Sequence, residues 1–213
     1  MNRAPVTRRV QHVRAAFSLA VLFVALARPS AAGQAVPLDI PTPYLPSTQV
    51  AVEEMLRLAQ VGPHDVVVDL GSGDGRVVVT ASERLGARGF GVDIDEKLVA
   101  LANENARRAG VAERARFFHR DIFATDIREA TVVTLYLLSS LVNRLKPKLL
   151  AELKPGTRIV AHDYGIDGWK PDRTVTISKT YYLYIVPAQV AGKWQLDATL
   201  PGGERTYEVE LSQ

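Results

Sequence analysis

Short apolar runs alternate along most of the chain with stretches whose apolar residues recur at helical spacing. The runs are rich in β-branched residues and predict strands, because such side chains fit a pleated, buried surface. They lie at residues 66–70, 90–93, 116–119, 131–136, 158–163 and 181–186. The periodic stretches predict helices after residue 48, at 76–85, at 96–108 and from 141 to 153. This alternation predicts an α/β domain with a mostly parallel sheet.

The last residues show strict alternation instead. Acidic side chains alternate with Tyr207, Val209 and Leu211 after a turn at 201–203. Antiparallel strands with one wet face have this pattern. We therefore expect residues 206–211 to form the antiparallel C-terminal edge of the sheet.

A glycine-alternating loop follows the first predicted strand. Residues 69–75 read Asp-Leu-Gly-Ser-Gly-Asp-Gly, and a predicted helix begins at Arg76. Glycine adopts positive φ readily and lets a ligand lie directly on the main chain, which a Cβ would prevent. The strand, loop and helix therefore predict a site for a flat ligand.

The charges around this loop indicate that the ligand is a cation. A dinucleotide fingerprint would need glycine at position 76, where this chain has Arg76. Asp69 and Asp74 would repel a diphosphate. S-adenosylmethionine fits, because its ammonium and sulfonium groups are positive and it carries no phosphate. Asp93 ends the next predicted strand about 20 residues later, where a ribose diol would be held.

Two motifs carry a family resemblance. Residues 69–75, together with Gly-Val-Asp-Ile-Asp at 91–95, resemble motifs of the class I S-adenosylmethionine-dependent methyltransferases. The resemblance runs from about residue 44 to residue 172 and implies a Rossmann-like, doubly wound sheet of seven strands. It also implies that Asp121 meets the adenine amino group. The residues expected to bind the cofactor are Asp69, Gly71, Ser72, Gly73, Asp74, Gly75, Asp93, Ile94, Asp121 and Ile122.

Two flanking segments extend the resemblance. Tyr-Leu-Pro at 44–46 and Gly-Trp-Lys-Pro at 168–171 are similar to the protein-lysine methyltransferases that modify the mitochondrial ATP synthase c-subunit. A protein lysine would have to attack as the neutral amine, although its ordinary pKa is about 10.4. An apolar, aromatic channel would lower that pKa by desolvation. We expect the candidate catalytic residues Tyr44 and Tyr136 to line such a channel, the alternative being that each is a packed aromatic residue.

The ends of the fourth and fifth predicted strands offer further candidates. His162 and Asp163 end the fifth strand at the ligand edge of the sheet, where such a pair either assists chemistry or fixes loop geometry. Residues 137–139 read Leu-Leu-Ser, whereas a base-flipping amino-methyltransferase would show Asn-Pro-Pro-Tyr. This departure argues against methylation of a DNA base. The four histidines show no metal-ligand spacing, so no metal site is expected.

Composition and charge limit the class of partner. The 213 residues are 47% apolar, enough for one well-buried domain. The net charge is +3, but residues 1–33 hold five arginines and no acid, which leaves 21 basic against 23 acidic groups in the remainder. Without a basic face, no nucleic-acid partner is expected. Cysteine is absent, which excludes disulfides and thiolate chemistry.

Residues 1–33 have the pattern of a signal peptide or membrane anchor. An arginine-rich start precedes an apolar core at 15–27 and then small residues. A proline-rich lead-in at 34–47 and a methyltransferase domain at 48–213 follow. This leader predicts a protein that is exported to the periplasm or tethered to a membrane through residues 15–27, and a cytoplasmic protein if the leader is not functional.

Other classes of function stay open at this point. A small-molecule methyltransferase would have a closed acceptor pocket instead of a long channel. A non-catalytic module that binds S-adenosylmethionine would lack an open route for an acceptor. A NAD-dependent oxidoreductase is disfavoured by Arg76 and the acidic loop.

The leader generates a direct prediction. In the natively expressed protein we expect the amino terminus to begin shortly after residue 32 or 35, because small residues that suit cleavage follow the apolar core. Mass spectrometry of the intact protein measures this. A terminus at Met1 or Asn2 would reject cleavage.

Overall fold

The computed structural model describes residues 45–188, 190, 192–200 and 203–211. The predicted leader, residues 34–44 of the lead-in and Tyr44 lie outside this part of the chain, so those predictions stay predictions. The described residues divide into two compact units, residues 45–188 and the C-terminal residues 190, 192–200 and 203–211. Among the described residues, no helix is both long and apolar enough to cross a membrane.

The larger unit contains the predicted alternation of strands and helices. Its strands are β1 (Val66–Leu70), β2 (Arg88–Asp93), β3 (Ala115–His119), β4 (Val132–Leu135), β5 (Arg158–His162), β6 (Arg173–Thr176) and β7 (Thr180–Ile185). Its helices are α1 (Gln49–Leu58), α2 (Arg76–Leu85), α3 (Glu96–Arg108) and α4 (Ser139–Glu152). The predicted elements are present, and β6 is an additional strand that the sequence pattern did not indicate.

The seven strands form one sheet in the order β3-β2-β1-β4-β5-β7-β6. Strands β1 to β5 run parallel, whereas β7 is antiparallel to β5 and β6 is antiparallel to β7. This confirms the predicted Rossmann-like, mostly parallel sheet with an antiparallel edge. The chain order reverses between β1 and β4, and open α/β sheets bind their ligands in the crevice at such a point.

Helices cover both faces of this sheet. Val67 and Val132 pack in one apolar cluster with residues of α1, α2 and α3. Val68 and Val133 pack in a second cluster, on the opposite face, with residues of α4. Strand β1 is therefore buried along its whole length, and Asp69 is a polar residue inside an apolar layer.

The C-terminal residues form a separate hairpin. β8 (Gly192–Leu200) pairs antiparallel with β9 (Gly203–Leu211) in a two-stranded sheet of its own. The prediction that residues 206–211 form the edge of the large sheet is wrong, because β6 and β7 occupy that edge. Alternation specifies that a strand has two different faces, but it does not specify the strand's neighbour. The predicted bounds of the methyltransferase domain, 48–213, stay a prediction.

Candidate active site

The loop between β1 and α2 is held against the end of β2 by main-chain hydrogen bonds. The N–H groups of Gly71 and Ser72 both donate to the carbonyl oxygen of Val92, each at 2.9 Å. The φ angles of Gly71, Gly73 and Gly75 are all positive, at 85°, 52° and 81°. This backbone conformation favours glycine, and it turns the chain from β1 directly into α2.

Packing of the protein itself also requires two of these glycines. A Cβ at Gly71 would lie 2.5 Å from the side chain of Leu137, and a Cβ at Gly75 would lie 2.6 Å from the ring of Phe117. The sequence analysis attributed these glycines to the approach of a ligand. In the structure, the positive φ angles and the close neighbouring side chains are sufficient to explain why positions 71 and 75 are glycine.

Asp69 is buried at the end of β1. Its side chain accepts a hydrogen bond of 2.6 Å from the hydroxyl group of Thr134 on the adjacent strand β4. Burial raises the pKa of Asp69 to about 7, against the lowering effect of the hydrogen bond from Thr134, and the negative charges of Asp93 and Asp74 raise it further. The crevice therefore has a negative potential, which favours a cationic ligand.

Asp93 supports the loop as well as the crevice. One of its carboxylate oxygens accepts from the N–H group of Gly73 at 2.8 Å, and the other accepts from that of Asp95 at 3.0 Å. The side chain is only partly buried, and carboxylate oxygens can each accept more than one hydrogen bond. Asp93 can thus hold the loop and still accept from a ribose hydroxyl.

Asp74 has a role that the sequence did not indicate. Its carboxylate forms an ion pair of 2.5 Å with Arg76, and Arg76 also donates to the carbonyl oxygen of Ser47. The carbonyl oxygen of Asp74 accepts from the side chain of Asn105 at 2.9 Å. Asp74 and Arg76 therefore connect the glycine loop to the segment that precedes α1. Binding of the cofactor by Asp74 stays a prediction.

Ser72 points away from solvent. Its side chain is 5% exposed, and its hydroxyl oxygen has no hydrogen-bond partner among the described residues. A Cβ at Gly91 would lie 2.4 Å from the Ser72 Cβ, so the serine packs closely on β2. An orphaned buried hydroxyl in a ligand loop is a candidate partner for a bound group.

Three of the residues predicted to bind the cofactor lie at the ends of β2 and β3, and one of them, Asp121, is the residue that the resemblance places at adenine. Ile94 directly follows Asp93 and is 73% exposed, which leaves a large apolar surface available to a flat ring. Asp121 is exposed, and its carboxylate accepts from the N–H group of Phe123 at 2.8 Å. Ile122 is half-buried against the cluster on the α4 face. All three lie beyond the carboxyl ends of parallel strands, where the resemblance requires them.

Three aromatic rings form a row across the ends of β4, β5 and β7. The ring centroids of Tyr136 and His162 are 4.1 Å apart, and those of His162 and Tyr181 are 4.9 Å apart, both in stacked geometry. Tyr136 lies two residues beyond Thr134, so its side chain is on the same face of the sheet as Asp69. The aromatic row is therefore next to the acidic crevice.

His162 is the middle ring of this row and is 3% exposed. Burial lowers its pKa, the nearby Asp163 opposes that effect, and the Lys179 ammonium group adds to it. Both ring nitrogens have no hydrogen-bond partner among the described residues. His162 is therefore a neutral ring near pH 7, and its observed contacts are those of an aromatic spacer between two tyrosines.

Sequence reasoning missed Thr134 and Tyr181. The predicted role of Tyr44 stays a prediction, because that residue lies outside the described part of the chain. The available signal for Thr134 was its hydroxyl group between the apolar residues 132–133 and 135. Tyr181 had no local signal, because its contact with His162 depends on the register of β5 with β7.

Within the described parts of the chain, no group of three or more His, Asp or Glu side chains is placed to hold a metal ion.

A surface cavity lies elsewhere, between α1 and α2. Its volume is about 360 Å³, and its lining includes Leu56, Val61, Arg84 and Leu85. Arg84 and Leu85 end α2, whereas the glycine loop precedes that helix. None of the predicted site residues lines this cavity.

Fold and site together define a class of protein. A glycine loop at the switch point of a Rossmann-like sheet, with a buried acid after β1 and a second acid after β2, is the arrangement of an S-adenosylmethionine-dependent methyltransferase. The family model described as ANTKMT methyltransferase domain matches residues 69–173. A protein-lysine N-methyltransferase of Saccharolobus islandicus is 41% identical over 68% of this chain and 93% of its own. The chain belongs to this family of class I methyltransferases.

Other relatives differ in length and in described substrate. The adenine nucleotide translocase lysine N-methyltransferase of Mus musculus is 35% identical, and the match covers 64% of this chain and 59% of that protein. A solved structure from Salinibacter ruber, described as an RNA methyltransferase in complex with S-adenosyl-L-homocysteine, is 48% identical with a TM-score of 0.68. That match covers 68% of this chain and 96% of the other. This chain therefore spans most of the compact microbial relatives and little more than half of the mouse enzyme.

S-adenosylmethionine is the cofactor of this family, and the residues present fit it. The negative charges that raise the pKa of Asp69 would attract a sulfonium and an ammonium group. Asp93 has remaining acceptor capacity for the ribose, and Ile94 presents an uncovered apolar surface for adenine. The roles of these individual residues stay predictions.

Asp69 generates a prediction about pH. Folding raises the pKa of Asp69 from about 4 to about 7, so the folded protein binds this proton more tightly than the unfolded chain does. The protonated carboxyl group therefore stabilises the fold at low pH, and this stabilisation is lost as the pH rises toward 7. Relative to Asp69→Asn, the cofactor-free wild type should lose about 2 kcal/mol of unfolding free energy between pH 5.5 and 7.5. Urea denaturation at the two pH values measures this.

S-adenosylmethionine should also bind the wild type more tightly at pH 8 than at pH 6, whereas the Asp69→Asn variant should show little change in affinity.

Asp126→Asn is the matched control for this experiment. Asp126 is an exposed acid, and Arg128 holds its pKa well below its usual range. Asp126 therefore changes the pH dependence of the unfolding free energy only at pH values below those tested. The control should therefore keep the wild-type pH dependence. An Asp69→Asn variant with the same pH dependence as the wild type would show that Asp69 is ionised throughout.

Asp93 generates a prediction about affinity. Asp93→Ala should weaken S-adenosylmethionine binding by about 1.5–3 kcal/mol, because a hydrogen bond to a charged acceptor is lost. Asp93→Asn keeps one oxygen for Gly73 and should weaken binding less. Isothermal titration calorimetry measures both affinities. An Asp93→Ala variant with wild-type affinity and stability would remove Asp93 from the site.

Proposed function

We propose that this methyltransferase transfers a methyl group to a lysine amine of a protein. The observation that carries the proposal is the aromatic row of Tyr136, His162 and Tyr181, which lies next to the acidic crevice on the same face of the sheet. The lysine methyltransferase from Saccharolobus islandicus, at 41% identity over almost its whole length, supports the same acceptor.

The acceptor must lose a proton before it can react. At pH 7 only about one lysine side chain in 2,500 is the neutral amine. Aromatic walls exclude water from the amine and lower its pKa by desolvation. Tyr136, which is partly exposed, supplies such a wall, and the buried ring of His162 stacks behind it. Because His162 is neutral, it does not place a third cation near the acceptor and the cofactor.

The chain's other contribution is orientation. S-adenosylmethionine supplies an electrophilic methyl group on a sulfonium. Asp69 and Asp93 hold charges and hydrogen-bond acceptors in fixed positions, because each is bonded to the main chain or to Thr134. Fixing the two reactants relative to each other can supply several kcal/mol of the acceleration, roughly 7–11 in the most favourable cases.

RNA is a second candidate acceptor, because the Salinibacter ruber protein is described as an RNA methyltransferase and is 48% identical. The charge of this chain favours protein over RNA. Outside residues 1–33 the acids outnumber the basic residues by 23 to 21, whereas RNA-binding surfaces are strongly basic. The two candidates predict different labelled products.

The test uses the purified full chain with S-adenosylmethionine labelled in its methyl group and an extract of cells that lack the enzyme. We expect label in material that a protease destroys and a nuclease does not, with mass increments of one methyl group on lysine residues. An extract whose lysines were blocked by acetylation should accept no label, because an amide nitrogen is not nucleophilic. The Asp93→Ala variant should transfer much less label when S-adenosylmethionine is limiting.

Three other outcomes would contradict the proposal. Label destroyed by nuclease would assign RNA as the acceptor. Label only in the small-molecule fraction would indicate a small-molecule methyltransferase. Cofactor binding by calorimetry without transfer to any fraction would indicate a binding module.

A further inference from the structure

An ion pair lies beside the aromatic row, directly after β5. Lys179 Nζ donates to a carboxylate oxygen of Asp163 at 2.7 Å. The Asp163 side chain is 17% exposed and that of Lys179 is 54% exposed. The carboxylate is therefore mostly enclosed by protein, whereas its lysine partner reaches it from the solvent side.

The pair is adjacent to the proposed acceptor walls. Asp163 follows His162, whose ring stacks on Tyr136. The hydrogen bond from Lys179 to Asp163 raises the pKa of Lys179, and the negative charge of Asp163 acts in the same direction. A lysine ammonium group, a carboxylate and two aromatic rings thus lie together at the end of β5.

Asp163 has an unusual backbone conformation. Its φ angle is 66°, and the N–H group of Tyr164 donates to the carbonyl oxygen of His162 at 2.9 Å, which closes a three-residue turn around Asp163. Turns of this kind with positive φ are rare and strained. Strained residues persist where the surrounding structure holds them, and they concentrate at functional sites. This turn aims the carboxylate at the position that Lys179 occupies.

We propose that Asp163 binds the ammonium group of the acceptor lysine, and that Lys179 occupies this binding position in the free protein. The ammonium group is assigned to an acceptor on the basis of the proposed function. The Lys179 ammonium group is the solvent-exposed partner of this pair, and an acceptor lysine brings an ammonium group of the same charge. An incoming lysine can therefore replace Lys179 at Asp163 without a large loss.

Binding at Asp163 precedes the loss of the proton. A carboxylate favours the charged form of an amine, so Asp163 retains the acceptor as an ammonium ion. Movement toward Tyr136 removes the amine from the carboxylate and from water, and both changes lower its pKa. The proton then leaves to solvent, and Asp163 acts in recognition of the acceptor.

The first test measures binding without any methyl transfer. The probe is n-butylammonium chloride, which has the end of a lysine side chain, and n-butanol is the uncharged control. NMR titration of the full chain should show binding that is at least threefold tighter in Lys179→Met than in the wild type. Asp163→Asn should abolish saturable binding, and asparagine suits this position because it tolerates positive φ.

The second test measures kinetics with a lysine-containing protein substrate. Lys179→Met should lower KM by about 3- to 10-fold with kcat unchanged, because the competing internal ammonium group is removed. Asp163→Asn should raise KM at least tenfold. The double variant should match Asp163→Asn, because Lys179 can compete only where Asp163 binds.

Lys148→Met is the matched control. Lys148 pairs with Glu152 at 2.6 Å within α4, so the variant makes the same chemical change to another lysine–carboxylate pair. It should leave butylammonium binding and KM at wild-type values.

The outcomes separate this inference from the proposed function. Lysine methylation with an unchanged or raised KM in Lys179→Met would overturn the assignment of Asp163 while supporting lysine as the acceptor. The enzyme could also bind butylammonium in the predicted order of affinities without methylating lysine. That result would support the ammonium site at Asp163 and reject lysine as the substrate. Equal butylammonium binding by all three proteins would also overturn the assignment.

Discussion

A carboxyl group inside an apolar layer is the constraint on which this structure depends. Asp69 ends a strand that is buried along its whole length, and burial favours the neutral form of an acid. Thr134 offsets part of this cost with a hydrogen bond from the neighbouring strand, while Asp93 and Asp74 add to the negative potential. A bound cation would relieve that potential, so the features that make the crevice unfavourable without a ligand are those that make it selective for a sulfonium.

The loop around this acid is positioned by several elements at once. Its main chain is bonded to the end of β2 through Val92, and Arg76 connects it to Ser47 ahead of α1. Leu137 after β4 limits the space at Gly71. A ligand held by this loop is therefore fixed relative to three strands and to the start of the first helix, which is the precision that methyl transfer requires.

The antiparallel edge of the sheet gives the site its second half. Strand β7 returns beside β5, and this places Tyr181 on His162 and Lys179 at Asp163. A parallel strand in that position would begin at the amino ends of β1 to β5, far from the crevice at their carboxyl ends. Residues at the start of such a strand would not reach the crevice. The antiparallel edge therefore supplies a charged group to the proposed acceptor side, and a buried aromatic ring that supports the rings of His162 and Tyr136.

Apart from β6 and β8, the sequence by itself determined the succession of strands and helices along the chain. It also determined the glycine loop and its acidic surroundings, because periodicity, β-branched runs and a short motif are local properties. Contacts between distant segments were decided only in the tertiary structure. The pattern of residues 206–211 predicted a strand but not its partner. Arg76 argued against a dinucleotide ligand, but the sequence did not predict its hydrogen bond to Ser47. Tyr181 contacts His162 because of the register between β7 and β5. Register and ion pairing depend on which segments become neighbours, and a single sequence pattern does not encode that choice.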